Sequence, residues 1–175
     1  MSKSLLEQII FVCFNKYDER EASRGNQMVE LLQSMEIQAS PDTPQGATVT
    51  FALVGPTTRF SKAVDSQIEA ALKGTSEQAP TALVAIILPE HEDYSAPFYD
   101  PENISPRIHD QVSRESAILR KWSKNKSAIA EWIEEALRRR ARFPAPSFSF
   151  STLSELKSFA WNDSSEGSTR SPWES

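Results

Sequence analysis

The sequence is short of the residues that build covalent and metal frameworks. Of its 175 residues one is a cysteine, Cys13, and two are histidines, His91 and His109. A single thiol excludes an internal disulfide and any cysteine-based zinc site. Two histidines give little basis for a His-rich metal centre. Glycine is also scarce, at five residues. No G-x-G-x-x-G fingerprint, Walker A loop or G-x-S-x-G elbow is present, which removes three common routes to nucleotide binding or hydrolysis. Long apolar runs are missing too. The longest, Ala82 to Leu88, has seven residues, against the roughly 20 that a spanning helix needs. The opening MSKSLLEQIIFVCF has a superficial likeness to a secretion leader. Glu7 interrupts it, and no small-residue cleavage site precedes Asn15 and Lys16. The expectation is a cytoplasmic protein that keeps its N-terminus and has no membrane contact.

Acids outnumber bases 24 to 19, for a net charge of -5, which argues against a nucleic-acid binder that coats phosphates. The charge is uneven. Residues 1–113 carry 8 bases and 16 acids, residues 114–142 carry 9 and 4, and residues 143–175 carry 2 and 4. The basic stretch is read as a solvated helix face, with an anionic ligand or partner as the alternative.

Along the chain, apolar runs alternate with amphipathic stretches. Gln8 to Phe14, Thr48 to Val54 and Thr81 to Leu88 are β-branched, short and uninterrupted, as strands buried on both faces are. Ile37 to Ala39 and Ala117 to Trp122 are candidates for two more. Met28, Leu31, Leu32 and Met35 predict a helix over residues 26–35, and Asn15 to Arg24 reads as a loop. Val64, Ile68, Ala71 and Leu72 predict a helix over 61–73 that Gly74 ends. A short helix is expected near 107–113. Ile129, Trp132, Ile133, Ala136 and Leu137 predict a last helix over 127–142, with Ser127 as its N-cap. Residues 90–105 form a long loop. The alternation predicts an α/β domain over residues 1–142, with a mostly parallel sheet of about five strands and helices on both faces. Residues 143–161 are expected to form an extension packed on that domain, and 162–175 a disordered tail.

In an open parallel sheet, ligands bind beyond the carboxyl ends of the strands. Three segments belong there: Asn15-Lys16-Tyr17-Asp18, Gly55-Pro56-Thr57-Thr58-Arg59 and Pro89-Glu90-His91. Asn15, Lys16, Asp18, Thr57 and Thr58 are therefore the candidate ligand contacts. Arg107 is a further one, as a phosphate binder or as the partner of a nearby acid. Glu90, Glu92 and Asp93 around His91 are a poor metal site, with one histidine on a loop, and no metal is expected. Trp122 and Trp132 are read as core, and Cys13 as a small buried hydrophobe.

Val54-Gly55-Pro56-Thr57-Thr58 followed by Val64-Asp65-Ser66-Gln67-Ile68 is similar to the strand, loop and helix of TIR-like proteins of the bacterial Thoeris defence type, where an apolar strand leads into G-x-x-T and then W-V-D-x-E-I. Ile104-Ser105-Pro106-Arg107-Ile108-His109-Asp110 resembles their I-P-P-R-L-x-D segment, and Trp132-Ile133-Glu134-Glu135-Ala136 their last helix. Phe11-Val12-Cys13-Phe14 with Asp18 and Arg20 resembles their opening strand and loop. The resemblance covers roughly residues 9–142.

It implies a three-layer flavodoxin-like fold. It also implies a signalling or immunity role, self-association into a homo-oligomer, and NAD as substrate or ligand with no permanently bound cofactor. Active members cleave NAD through a helix glutamate that stabilises an oxocarbenium-like transition state, a need shared with glycoside hydrolases. Here Gln67 stands at that glutamate position and Ala63 at the tryptophan position. An amide can hydrogen-bond a ribose but supplies no anion, a loss commonly worth several kcal/mol of transition-state stabilisation. The expectation is a pseudoenzyme that binds a nucleotide or a protein partner. One alternative is an active NAD nucleosidase or cyclase whose carboxylate comes from Asp18 or Glu90. Another is a nucleoside deoxyribosyltransferase-like enzyme. The resemblance also implies a helix between the second and third strands, for which the sequence leaves little room.

Overall fold

A computed structural model describes residues 3–74 and 79–142. The predicted segments 143–161 and 162–175 lie outside the described residues. Five parallel strands form one sheet: β1 (Ile9–Cys13), β2 (Gln38–Ser40), β3 (Val49–Val54), β4 (Ala82–Ile87) and β5 (Ile118–Lys121), in the order β2-β1-β3-β4-β5. The helices are α1 (Lys3–Leu6), α2 (Glu19–Ser34), α3 (Lys62–Lys73), α4 (Pro106–Ser113) and α5 (Lys126–Arg142). The arrangement is that of a three-layer, flavodoxin-like α/β domain.

The strand residues divide cleanly between two cores. Ile10, Val12, Phe51, Leu53, Val84 and Ile86 pack under α2 and α5, against Met28, Leu32, Ile129 and Ile133. Phe11, Cys13, Ala52, Val54, Ala85 and Ile87 face the other way, under α3 and α4, against Val64, Ile68 and Ile108. Successive side chains on a strand point to opposite faces. A strand covered on both sides is therefore apolar almost throughout, as β3 and β4 are. Thr50 is the polar exception, and its hydroxyl bonds that of Thr81 at 2.8 Å. Trp132 is core, while Trp122 is partly buried with the Arg24 guanidinium over its ring at 5.1 Å.

Two local expectations are corrected. The segment read as a loop from Asn15 to Arg24 is loop only as far as Asp18. Asp18 caps α2 by accepting the N–H groups of Arg20 and Glu21, so the helix starts seven residues before 26. At α5, Ser127 lies inside the helix, and the Asn125 side chain accepts the N–H of Ala128 instead. Between β2 and β3 the chain runs through turns with no helix. Ile9, Gln38, Ser40 and Gln45 line an open hollow at that edge of the sheet.

Candidate functional site

The chain leaves β1 for β2 on one side and continues to β3 on the other, so the strand order reverses between β1 and β3. The loops after these two strands start there, at the crevice beyond the strand ends where ligands usually bind in such sheets.

The structure joins these loops through side chains. Asn15 Nδ2 donates to Thr57 Oγ1 at 2.9 Å, and Asn15 Oδ1 accepts the N–H of Tyr17 at 3.1 Å. Thr57 Oγ1 also meets Asp18 Oδ2 at 3.1 Å. Asn15, Asp18 and Thr57 thus form one cluster across the crevice. Asp18 Oδ1 is taken by the first N–H groups of α2, while Oδ2 faces the Thr57 hydroxyl and the Arg20 guanidinium, 3.5 Å away. Burial opposes its charge, but the N–H of Glu21, the Thr57 hydroxyl and the Arg20 contacts outweigh it and hold the carboxyl below its ordinary value.

Beneath the cluster lies Glu21, which the sequence reading missed. It is fully buried in the first turn of α2. Its Oε2 accepts the N–H of Thr57 at 2.9 Å and a short bond from the Thr57 hydroxyl, and its Oε1 accepts a short bond from Thr58 Oγ1. Thr58 Oγ1 in turn accepts the N–H of Gly55 at 2.8 Å. Gly55 has a steric role here. A Cβ at that position would lie 2.4 Å from Glu21 Cγ and 2.6 Å from Cδ. The signal for Glu21 was available in Asp18-x-x-Glu21, a pattern that marks a helix start. In this chain the glutamate does not reach back to the cap. It reaches across to the next loop.

Gln67 is half-buried on α3, and its side-chain oxygen lies 3.4 Å from Cys13 Sγ at the end of β1. Cys13 Sγ also approaches the carbonyl of Val64 at 4.0 Å. Burial pushes the Cys13 thiol up to about 12, against a small opposing pull from Lys16, so it is no nucleophile at neutral pH. Lys16 is exposed and pairs with Asp42 at 3.3 Å.

Arg107 is occupied on the flank of the site. Its Nε meets Asp65 Oδ1 at 3.0 Å and its second terminal nitrogen meets Glu69 Oε2 at 2.7 Å, which ties α4 to α3. Glu90 is likewise engaged, by Arg24 Nε at 2.9 Å. His91 Nδ1 accepts the N–H of Asp93 at 3.0 Å, so its Nε2 carries the proton given to the Asn103 carbonyl at 2.9 Å. Arg59 binds the Glu102 carbonyl and Asn103 Oδ1 at 2.6 and 2.7 Å. The rim is therefore cross-tied from β1 to β3, from β3 to the long loop, and from that loop back to α2.

No family model, curated protein or solved structure matches the chain. Among the described residues no group of three or more His, Cys, Asp or Glu side chains could hold a metal ion, and no helix is long and apolar enough to cross a membrane. The chemistry offered by the cluster is recognition of hydroxyl and amide groups. Asp18 Oδ2 is an acceptor held charged, and Asn15 and Thr57 are polar groups fixed in place by each other.

Proposed function

We propose that this chain is a TIR-like signalling or defence domain that binds a nucleotide in the crevice between β1 and β3, without strong NAD cleavage. The observation that carries the reading is the Asn15–Asp18–Thr57 cluster at the point where strand order reverses. A fixed carboxylate beside two neutral polar groups suits a ribose, whose hydroxyls both donate and accept. The neutral amide of Gln67 beside Cys13 supports binding over cleavage, because an oxocarbenium-like transition state gains little from an uncharged group. The resemblance to Thoeris-type proteins adds the signalling context and NAD as the nucleotide to try first.

The second reading, an active NAD nucleosidase or cyclase, falls to Asp18 rather than Glu90. Asp18 stands in the crevice with one oxygen facing Thr57, while Glu90 is spent on Arg24.

The deciding experiment incubates the purified chain with NAD, follows nicotinamide release, and measures NAD binding by calorimetry. Binding without sustained release is expected, and Gln67→Glu is expected to raise release. Brisk turnover by the unaltered protein overturns the binding-only reading; its loss in Asp18→Asn would then establish the second. Absence of any NAD binding overturns both.

A further inference from the structure

A turn that follows a strand and exposes an N–H and two hydroxyls is a ready seat for a phosphate. In this chain that seat is full. The N–H of Thr57 and the hydroxyls of Thr57 and Thr58 all end on the carboxylate of Glu21. Glu21 is fully buried, and no lysine or arginine among the described residues pairs with it. Its carboxyl oxygens are met by neutral donors, the way a bound oxyanion is met in such a turn. The missing side chain at Gly55 makes the room, since a Cβ there would strike the Glu21 stem at 2.4 Å.

We propose that Glu21 is the specificity determinant of the crevice: a built-in carboxylate that fills the anion seat of the β3 turn, so that a ligand lying against Thr57 presents an uncharged hydroxyl or amide there and not a phosphate. Asp18 strengthens the exclusion. A phosphate at Thr57 would meet Asp18 Oδ2, 3.1 Å from the hydroxyl and only partly offset by the exposed Arg20 guanidinium at 3.5 Å, as well as Glu21 itself. The Thr57 hydroxyl has one proton and two carboxylate neighbours. When Glu21 takes it, Asp18 is left with acceptor capacity for a donor from the ligand. In a nucleotide the part that fits is the sugar edge, with the phosphates directed away from β3. The location of the ligand rests on the nucleotide-binding reading; the occupied seat does not.

The test needs no nucleotide. Glu21→Ala vacates the seat while leaving Gly55, Thr57 and Thr58 in place. Thermal unfolding of the wild type and of Glu21→Ala is followed at neutral pH in chloride, formate, acetate and phosphate at matched ionic strength. Formate or acetate is expected to raise the Tm of Glu21→Ala by about 3 °C or more over chloride, by refilling the seat, with no such gain in the wild type. An equal gain in the wild type overturns the proposal, because the donors would then be free. A folded Glu21→Ala that ignores all three anions overturns it as well. Where the variant is recovered only unfolded, it is refolded in acetate and in chloride. Folded yield in acetate alone supports the proposal, and equal yields overturn it. NAD calorimetry on the unaltered protein is read separately, so failure of the binding reading and failure of this one are distinguishable.

Discussion

The Thr58 hydroxyl donates to the Glu21 carboxylate while accepting the backbone N–H of Gly55. One side chain thereby connects the first turn of α2 to the end of β3, 37 residues apart in sequence. The join is local, buried and free of countercharge, and it predicts behaviour at several positions.

Gly55→Ala is expected to cost about 1–3 kcal/mol, because the new methyl lands 2.4 Å from Glu21 Cγ in a packed site. The cost shrinks in a Glu21→Ala background, where the atoms that the methyl would strike are gone. A double-mutant cycle by urea denaturation measures the coupling, expected at about 0.5–3 kcal/mol. Additive losses would refute the contact.

Gly25→Ala tests the packing of α2. Alanine is the better helix former by about 1 kcal/mol. Its Cβ, however, would lie 2.3 Å from the buried Phe14 ring. Overpacking of about 1–3 kcal/mol is expected to outweigh the helix gain, giving a lower urea midpoint. A higher midpoint would show that the ring yields freely.

Asp18 gives a pH prediction. Its carboxyl is held below its ordinary value in the folded chain. Its contribution is therefore present above the unfolded carboxylate value of about 3.9 and is lost as pH falls through the lower folded one. Asp18→Asn keeps a good cap and removes the charge. The variant's Tm is expected to fall less steeply than the wild type's from about pH 5 to pH 3. Parallel curves would contradict this.

Cys13 is expected to resist thiol reagents at pH 8, since the thiol is buried and pushed up to about 12. Labelling in native buffer should follow the rate of opening, and denaturant should make it immediate. Rapid native labelling would mean that the end of β1 is open.

Arg107→Ala is expected to lower stability by no more than about 1 kcal/mol, because all three partners are a third or more exposed. The difference between variant and wild type should narrow in high salt. A loss well above this, unmoved by salt, would assign Arg107 a larger role.

The sheet was legible for a physical reason. With helices on both faces, β1, β3 and β4 have no solvent side on which to carry polar residues, so they read as unbroken apolar runs. The start of α2 was hidden by the same kind of rule. Its buried positions are Glu21, Gly25, Met28, Val29 and Leu32, spaced as one helix face requires. Two of the five are a carboxylate and a glycine, which a search for apolar periodicity passes over. The crevice loops could be assigned from topology, and Asn15 and Thr57 do meet there. Glu21 could not be found that way, because a glutamate inside a core is ordinarily unfavourable. The donors that satisfy it, two threonine hydroxyls and the Thr57 N–H, come from a distant loop.

β2 has three residues and forms one edge of the described sheet. At about 3.3 Å per residue, a second chain laid along that margin would gain roughly 10 Å of shared ladder. A rail so short is a weak template for strand-by-strand stacking into fibrils. Among the described residues, this edge of the sheet thus carries little hazard of running on into a neighbouring chain.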